Sequence, residues 1–507
     1  MPLQEHLHNS LKLKRMGIDT HQETVVYMRA DCSVCRSEGF EAHSRVEISV
    51  KDRRIIATLN VVHSDLLLPD EAGLSEISWK LLAPQEGDVA SFAHPPPVTS
   101  MSEVRAKLYG HRLLKTSMDA IVKDVVAGKY TDIQVATFLA ACAADRLDQN
   151  EITSLTQAMI GVGEKIDWGS NLVVDKHCVG GLPANRTSPI IVAIVTAAGL
   201  IMPKTSSRAI TSPSGTADTM ATLTKVDLSL AAIRKVVQQE GGCIVWGGAI
   251  SLSPADDILI RIERALDIDS EGQMVASILS KKAAAGSSHV IIDMPVGPSA
   301  KVRDQKSAQV LKTFLEKTGE AIGLKVLVLI TDGSQPVGRG IGPTLEAQDV
   351  LDVLQNAKDA PKDLRDKSIL LAAKIFEMAG RQNFDDAVKL ATQILDEGLA
   401  WKKFQAICEA QGGLRLPQKA PFTHEITSPQ TGYVAEINNR KLSMVAKLAG
   451  APEAASAGVF LHSPLEQRVE KGESLFRIHA ETHGELEYAL EYVLAQEPIL
   501  RIREEPS

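Results

Sequence analysis

The chain has 507 residues, of which 44% are hydrophobic and 23% charged, and it carries a formal net charge of -8. A chain of this length buries large cores and divides into roughly three or four domains. Its negative balance excludes a general binder of nucleic acids or acidic membranes, because such partners need concentrated positive surface.

Met1 to Thr24 is polar and interrupted by charge, without the apolar core of a secretory signal. The longest apolar stretch, Ile190 to Met202, is far short of the roughly 20 residues that cross a bilayer. A cytoplasmic protein is expected. Six scattered cysteines (Cys32, Cys35, Cys142, Cys178, Cys243 and Cys408) suit a reducing compartment. Cys32 and Cys35 form a CxxC with no second pair nearby, which reads as a turn rather than a zinc site.

Short runs of alternating polarity, Arg45 to Val50 and Arg54 to Leu59, predict a β-rich N-terminal domain over 1–95. His94-Pro95-Pro96-Pro97-Val98 ends it, since a triple proline continues neither a helix nor a central strand. From Ser102 to Gly163 the period is helical, with Thr131 as N-cap, Gln134 three residues on, and Val135, Phe138, Leu139 and Cys142 along one face. This predicts a helical domain over 96–170, onto which 253–284 packs back.

Ile190 to Ala197, His289 to Met294 and Lys325 to Ile330 are apolar or β-branched runs bounded by Gly, Pro or Asp. They are expected as strands of a largely parallel sheet in an α/β domain built from 171–252 and 285–420. Loops of small residues follow two of them, Pro295 to Lys301 and Asp332 to Gly342, at the strand ends where ligands bind in such sheets. After Pro417 the pattern is β-rich again. Thr431 to Val434 and Val469 to Ile478 resemble the turns of a lipoyl-like barrel-sandwich, placed at 421–507. Lys441-Leu442-Ser443-Met444 does not match the modifiable lysine of a carrier domain, so a structural module is expected.

The richest chemistry lies in Val174 to Gly181 and Thr205 to Asp218. Each is read as a loop of small residues and hydroxyls, and with a cation such loops cradle an anion. Asp175-Lys176-His177 with Gly180-Gly181, the Ser206 to Asp218 segment, Ala276 to Lys282 and Ser334 to Gly338 occur in the order seen in thymidine and pyrimidine-nucleoside phosphorylases. Over roughly residues 100 to 480 the chain resembles this family. The N-terminal extension and the string Lys204 to Ser212 resemble its long branch, which includes bacterial thymidine phosphorylase-like proteins and archaeal AMP phosphorylases.

The resemblance implies a multidomain fold, a helical domain against a larger α/β domain with the substrate cleft between them. It also implies a pentosyltransferase reaction in which phosphate attacks the anomeric carbon of thymidine or a related nucleoside, giving free base and (deoxy)ribose 1-phosphate. Phosphate is a co-substrate, no cofactor or metal takes part, and the expected assembly is a homodimer or higher homo-oligomer with no nucleic-acid or membrane partner. The alternative within the same class is a nucleoside 5′-monophosphate such as AMP. More distant are a phosphoribosyltransferase, which normally needs magnesium, and a non-catalytic carrier or scaffold.

By motif position, Lys176 is the phosphate cation, Ser206 and Thr216 supply hydroxyls, and Gly180 and Gly181 permit close backbone approach. His177 matches the family histidine near the base. Cys178 stands where better-known members have serine, and a thiol is a weaker donor, so phosphate placement shifts toward the backbone and Thr187 or Ser188. Asp269, eight residues before Ser277, matches the proton donor of the AMP phosphorylase branch, a role that needs burial to raise its pKa. Ser277 and Lys281 share a helix face, while Arg261 and Arg264 straddle the place of the base-reading arginine. Ser207, Arg208, Ala209, Ile210, Thr211, Ser212 and Lys301 complete the expected substrate contacts, with Arg208 and Lys301 as a second anion site.

Overall fold

The computed structural model describes residues 9–209, 212–249, 252–266, 268 and 270–505. They form two compact units that divide between Ala141 and Cys142, inside the stretch 96–170.

In the first unit β1 (Ser10–Arg15), β2 (Val25–Arg29), β3 (Arg45–Val50), β4 (Arg53–Val62), β5 (Glu71–Leu74) and β6 (Val89–Ala93) close into a barrel ordered β1-β5-β2-β4-β3-β6. Leu11 and Leu13, Val26 and Met28, Val46 and Ile48, and Ala57 and Leu59 fill it at every second position, as the pleat requires. Helix α1 (Ser33–Glu38) is capped by Cys32, whose Sγ accepts the Cys35 N–H at 3.2 Å, so the CxxC is a helix start. Helix α2 (Glu76–Leu82) crosses beside β4. Then come α3 (Met101–Leu108), α4 (Lys115–Val126) and α5 (Asp132–Ala141). The capping box of α5 is closed on both sides: Thr131 Oγ1 accepts from Gln134 N at 3.2 Å, and Gln134 Oε1 accepts from Thr131 N at 2.9 Å.

The second unit begins with α6 (Gln149–Gly161) and alternates as β7 (Val174–Cys178), α7 (Thr187–Ala197), β8 (Met202–Ser206), α8 (Thr216–Leu223), α9 (Leu230–Glu240), β9 (Gly242–Trp246), α10 (Pro254–Leu266), α11 (Glu271–Ala284), β10 (His289–Val296), α12 (Gln305–Ala321) and β11 (Lys325–Asp332). β11, β10 and β7 make a parallel sheet, and β8 and β9 a parallel pair. Helix α11 packs along α6, with α10 and α12 beside them. After β12 (Gly340–Ile341), the helices α13 (Pro343–Leu354), α14 (Lys362–Met378), α15 (Phe384–Asp396) and α16 (Leu399–Gln411) wrap α7.

The remainder comprises β13 (Phe422–Thr427), β14 (Gly432–Ile437), α17 (Asn439–Leu448), β15 (Gly458–Leu461), β16 (Arg468–Val469), β17 (Ser474–Ala480), α18 (His483–Ala495) and β18 (Leu500–Arg503). Its sheets, β12-β15-β17-β13 and β16-β14-β18, enclose Val434, Leu442, Val459, Phe476 and Ile478.

Two expectations are corrected. Ile190 to Ala197 is not a strand but most of helix α7. All residues from Ile190 to Val195 are fully buried on every side, so the run shows no helical period, and β-branched content alone misassigns it. Asp175 to Cys178 belongs to strand β7 itself rather than to the loop after it, which changes where its side chains point.

Candidate active site

Successive residues of a strand face opposite ways, and β7 uses this to separate its charges. On one face Asp175, fully buried, accepts from Lys282 Nζ at 2.7 Å and from Lys204 Nζ at 3.3 Å. Lys204 also donates to the carbonyl of Lys176 at 2.7 Å. Burial opposes ionisation of Asp175, but the two lysines outweigh it and hold the carboxyl below its ordinary 3.8. His177 shares this face. Burial, and then the charges of Lys282, Lys204, Lys281 and Lys176, drive its pKa well below 6.5, so the imidazole is neutral near pH 7.

On the other face Lys176 is 1% exposed. Among the described residues no carboxylate lies within ion-pair distance of its Nζ, because Asp293 is engaged elsewhere. Asp293 sits in β10 opposite Cys178 and takes Lys367 Nζ at 3.0 Å, Thr331 Oγ1 at 2.7 Å and Asn185 Nδ2 at 3.1 Å. Burial lowers the pKa of Lys176 below 10.5, with Cys178 and Asp293 opposing and Lys367 and Arg186 adding to the fall. Burial likewise pushes the Cys178 thiol above 9.0, so it stays protonated. A buried ammonium with no carboxylate at ion-pair distance is costly, and an incoming anion would relieve it.

The turn after β7 depends on glycine. Gly180 and Gly181 take φ of 96° and 79°, and a Cβ on Gly181 would lie 2.2 Å from the backbone nitrogen of Lys301. Ala184 and Asn185, with φ of 58° and 56°, then swing the chain into Arg186 and helix α7. Arg186 donates through Nε to Glu346 Oε2 at 2.7 Å, with Nη2 in ion-pair contact at 2.6 Å, and through Nη1 to Thr216 Oγ1 at 2.8 Å. The next hydroxyl, Thr187 Oγ1, is buried without a hydrogen-bond partner among the described residues.

The second loop is stitched by Asp218, which accepts from Ala209 N at 2.6 Å, Gly215 N at 2.9 Å and Arg208 Nη1 at 3.2 Å. Arg208 also pairs with Asp227 at 3.2 Å and lies 5.1 Å from the Trp246 ring, so its charge is met within the protein. Ser206 Oγ approaches the carbonyl of Ser207 at 3.4 Å, and Ser212 Oγ donates to Ser214 at 3.0 Å.

Helix α11 is buried except for a stripe that includes Glu271, Met274, Ser277 and Lys281. Ser277 and Lys281 therefore face the same way, and Lys281 Nζ binds Asp256 at 2.8 Å. The adjacent Lys282 turns to Asp175, tying this helix to β7. In α10, Arg261 is partly buried and Arg264 exposed.

Lys176, Gly181, Thr216 and Lys301 are linked around the carboxyl end of β7 through the Gly181–Lys301 approach and the Arg186 bridge. His177 lies within the field of Lys281. Ser206 ends strand β8 and Ser207, Ala209 and Ser212 follow it in the second loop, and among the described residues no hydrogen bond joins the serine side chains to Lys176 or Thr216. Ile210, Thr211 and Asp269 lie outside the described residues.

Sequence reasoning missed Asn185, Arg186, Asp293, Glu346 and Lys367. A signal existed for Asp293, a lone carboxylate inside an apolar strand, and for Glu346, an acid on the buried face of α13. No described helix is long and apolar enough to cross a membrane.

Known proteins match in the same order as these elements. The "Glycosyl transferase family, helical bundle domain" matches residues 103–163, and the "Glycosyl transferase family, a/b domain" matches residues 170–401. The "Pyrimidine nucleoside phosphorylase C-terminal domain" matches residues 433–499. A protein named "Putative thymidine phosphorylase" from Polaromonas sp. is 57% identical over 504 residues, 99% of either chain. One of the same name from Hahella chejuensis is 56% identical over 503 residues, 99% of this chain and 100% of that one. Among solved structures, anthranilate phosphoribosyltransferase from Thermus thermophilus aligns with a TM-score of 0.51 at 17% identity, over 61% of this chain and 98% of its own, a likeness of fold alone. With a helical bundle and an α/β domain both matched, and relatives alike over 99% of its length, the chain belongs to the thymidine and pyrimidine-nucleoside phosphorylase family.

Proposed function

We propose that the protein is a thymidine phosphorylase-type pentosyltransferase. A phosphate oxygen bonds to the anomeric carbon of thymidine or a related nucleoside as the carbon–nitrogen bond breaks. The electron pair leaves with the base, which acquires a proton, and the products are free base and (deoxy)ribose 1-phosphate. The observation that carries this reading is Lys176, 1% exposed and without a carboxylate partner among the described residues, in the strand that runs into the Gly180–Gly181 turn.

In this reading Lys176, Gly180, Gly181, Ser206 and Thr216 hold phosphate, which in turn stabilises the cationic sugar carbon. His177, neutral, reaches the base or sugar with Ser277 and Lys281, and Asp269 protonates the leaving base. The remaining residues of the Ser207 to Ser212 segment complete the proposed substrate contacts. The proposed cleft lies between helix α11, which carries Lys281, and the end of β7, where closure excludes competing water. The same resemblance suggests a lipoyl-like sandwich at the C-terminus, a homodimer and a cytoplasmic location.

One observation favours a nucleoside 5′-monophosphate instead: the backbone of Lys301 abuts Gly181, which brings a further lysine to this turn, and a 5′-phosphate needs a further cation. Incubation with phosphate and a panel of nucleosides and nucleoside monophosphates, with and without magnesium, separates the two by which substrate releases base. Base release that requires phosphate but not magnesium is the expected result. Chemistry only with a diphosphorylated sugar and magnesium would make the protein a phosphoribosyltransferase, and no chemistry at all would overturn the proposal.

A further inference from the structure

The two anion-facing loops are joined by one side chain. Arg186, 12% exposed, sits between the glycine turn and helix α7, and its guanidinium reaches across to the second loop. There Nη1 donates to Thr216 Oγ1 at 2.8 Å and Nη2 to the carbonyl of Ser214 at 3.0 Å. Its other edge is fixed by Glu346, 1% exposed in the first turn of α13, whose Oε2 also accepts from Thr219 Oγ1 at 2.8 Å. Arginine suits this position because its planar fork can satisfy all three acceptors at once, which a lysine cannot.

A hydroxyl has one hydrogen to donate. Since Thr216 Oγ1 accepts from Arg186, its own hydrogen is left to point away from the guanidinium, and among the described residues it has no acceptor. Thr187 Oγ1, next along the chain, is buried with no partner at all among those residues. Arg186 also lies within the electrostatic reach of Lys176. Two buried hydroxyls with no acceptor among the described residues thus adjoin Arg186, one next to it along the chain and one accepting from its guanidinium.

We propose that Arg186, braced by Glu346, is a positioning residue that orients the Thr216 hydroxyl as a donor to the phosphate co-substrate and adds positive potential at that anion's site. The inference rests on the phosphorylase reading above. Its role offsets the thiol at position 178, which cannot supply a strong donor.

The test is a double-mutant cycle on the full-length protein, with Arg186→Met, Thr216→Ala and the combination. Arg186→Met should raise the KM for phosphate about tenfold, a shift expected for losing a charge-assisted contact, and leave the nucleoside KM within about twofold. The double variant should be no worse for phosphate than Thr216→Ala with its charge term added. Because Arg186→Met strands a buried carboxylate, Arg186→Met/Glu346→Met is made alongside it and should show the same phosphate-selective loss. Binding of inorganic phosphate alone, by calorimetry, should weaken in parallel. Equal rises in both KM values, or fully additive losses in the cycle, would overturn the role of Arg186. If the unmutated protein binds phosphate and Arg186→Met does not change that binding, the positioning idea fails while the phosphorylase reading survives. If the unmutated protein neither binds phosphate nor releases base, that reading fails first.

Discussion

Asp175 and Lys176 are neighbours in one strand, buried alike, and opposite in how their charges are met. Asp175 is surrounded, with Lys282 at 2.7 Å and Lys204 at 3.3 Å. Asp293, a carboxylate whose charge reaches Lys176, is taken by Lys367 at 3.0 Å. Three carboxylates in this region (Asp175, Asp293 and Glu346) stand against five cations (Lys176, Lys204, Lys282, Lys367 and Arg186). On the Asp175 face each of these charges has an opposite charge within ion-pair distance, while on the other face Lys176 has none among the described residues. The difference teaches where to look for function: at the buried charge that the protein leaves unpaired.

The largest effects should come from removing each neighbour in turn. Asp175→Ala leaves two lysines buried against each other and should destabilise the fold by about 3–5 kcal/mol, the range for breaking a buried pair from one side. Lys176→Met removes an unpaired charge and should hold or raise the melting temperature. Its catalytic effect is the reverse, a loss of about 10²–10³ in phosphate-dependent base release, as for deleting a key oxyanion contact. Thermal melts and single-turnover assays on the two variants check this, and a stability loss in Lys176→Met as large as in Asp175→Ala would erase the contrast.

How far this contrast could be read from sequence depends on distance along the chain. The alternation in β3 and β4, the Thr131 cap and the consecutive glycines at 180 and 181 are local signals, and local chemistry fixed those elements. Lys176 stood out because its neighbours in sequence are unusual. The partners that give it meaning did not: Arg186 and Glu346 are 160 positions apart, and Asn185 and Asp293 are 108 apart. Nothing in either stretch announces the other. Helix α7 escaped for a different reason, since a segment buried all round carries no period to read.

The two faces should also answer to opposite ends of the pH scale. Asp175 has a folded pKa below its ordinary 3.8, so its contribution to stability is present at neutral pH and is lost as pH falls through the depressed value. Lys176 has a folded pKa below 10.5. Between those two values the unfolded chain holds the proton that the folded chain has lost, so stability rises with pH across that window. Phosphate affinity should fall there, because the ammonium is being discharged. Melting temperatures and kcat/KM for phosphate, followed from acid to alkaline pH, check both limbs. Lys176→Met should reduce the alkaline stability rise and leave the acid limb intact, the remainder belonging to Lys204, whose pKa burial also lowers, and an unchanged alkaline limb in that variant would assign the whole rise to other groups.

The smallest effect tests how much the unpaired face gains from its own side chains. Cys178 shares that face with Lys176, and its Sγ lies 3.3 Å from Asn185 Nδ2. Burial and the neighbouring Asp293 keep it a thiol, which donates weakly. In Cys178→Ser the oxygen could still accept from Asn185, leaving its hydrogen for phosphate. One good hydrogen bond contributes about 1 kcal/mol, so the KM for phosphate should fall about fivefold with the nucleoside KM unchanged. The protein should remain as stable as before, since the substitution is nearly isosteric and keeps the Asn185 contact. If the serine variant instead binds phosphate no better, the hydroxyls of Thr187 and Thr216 already saturate the anion, and the cysteine is tolerated because the arginine bridge has made a third donor unnecessary.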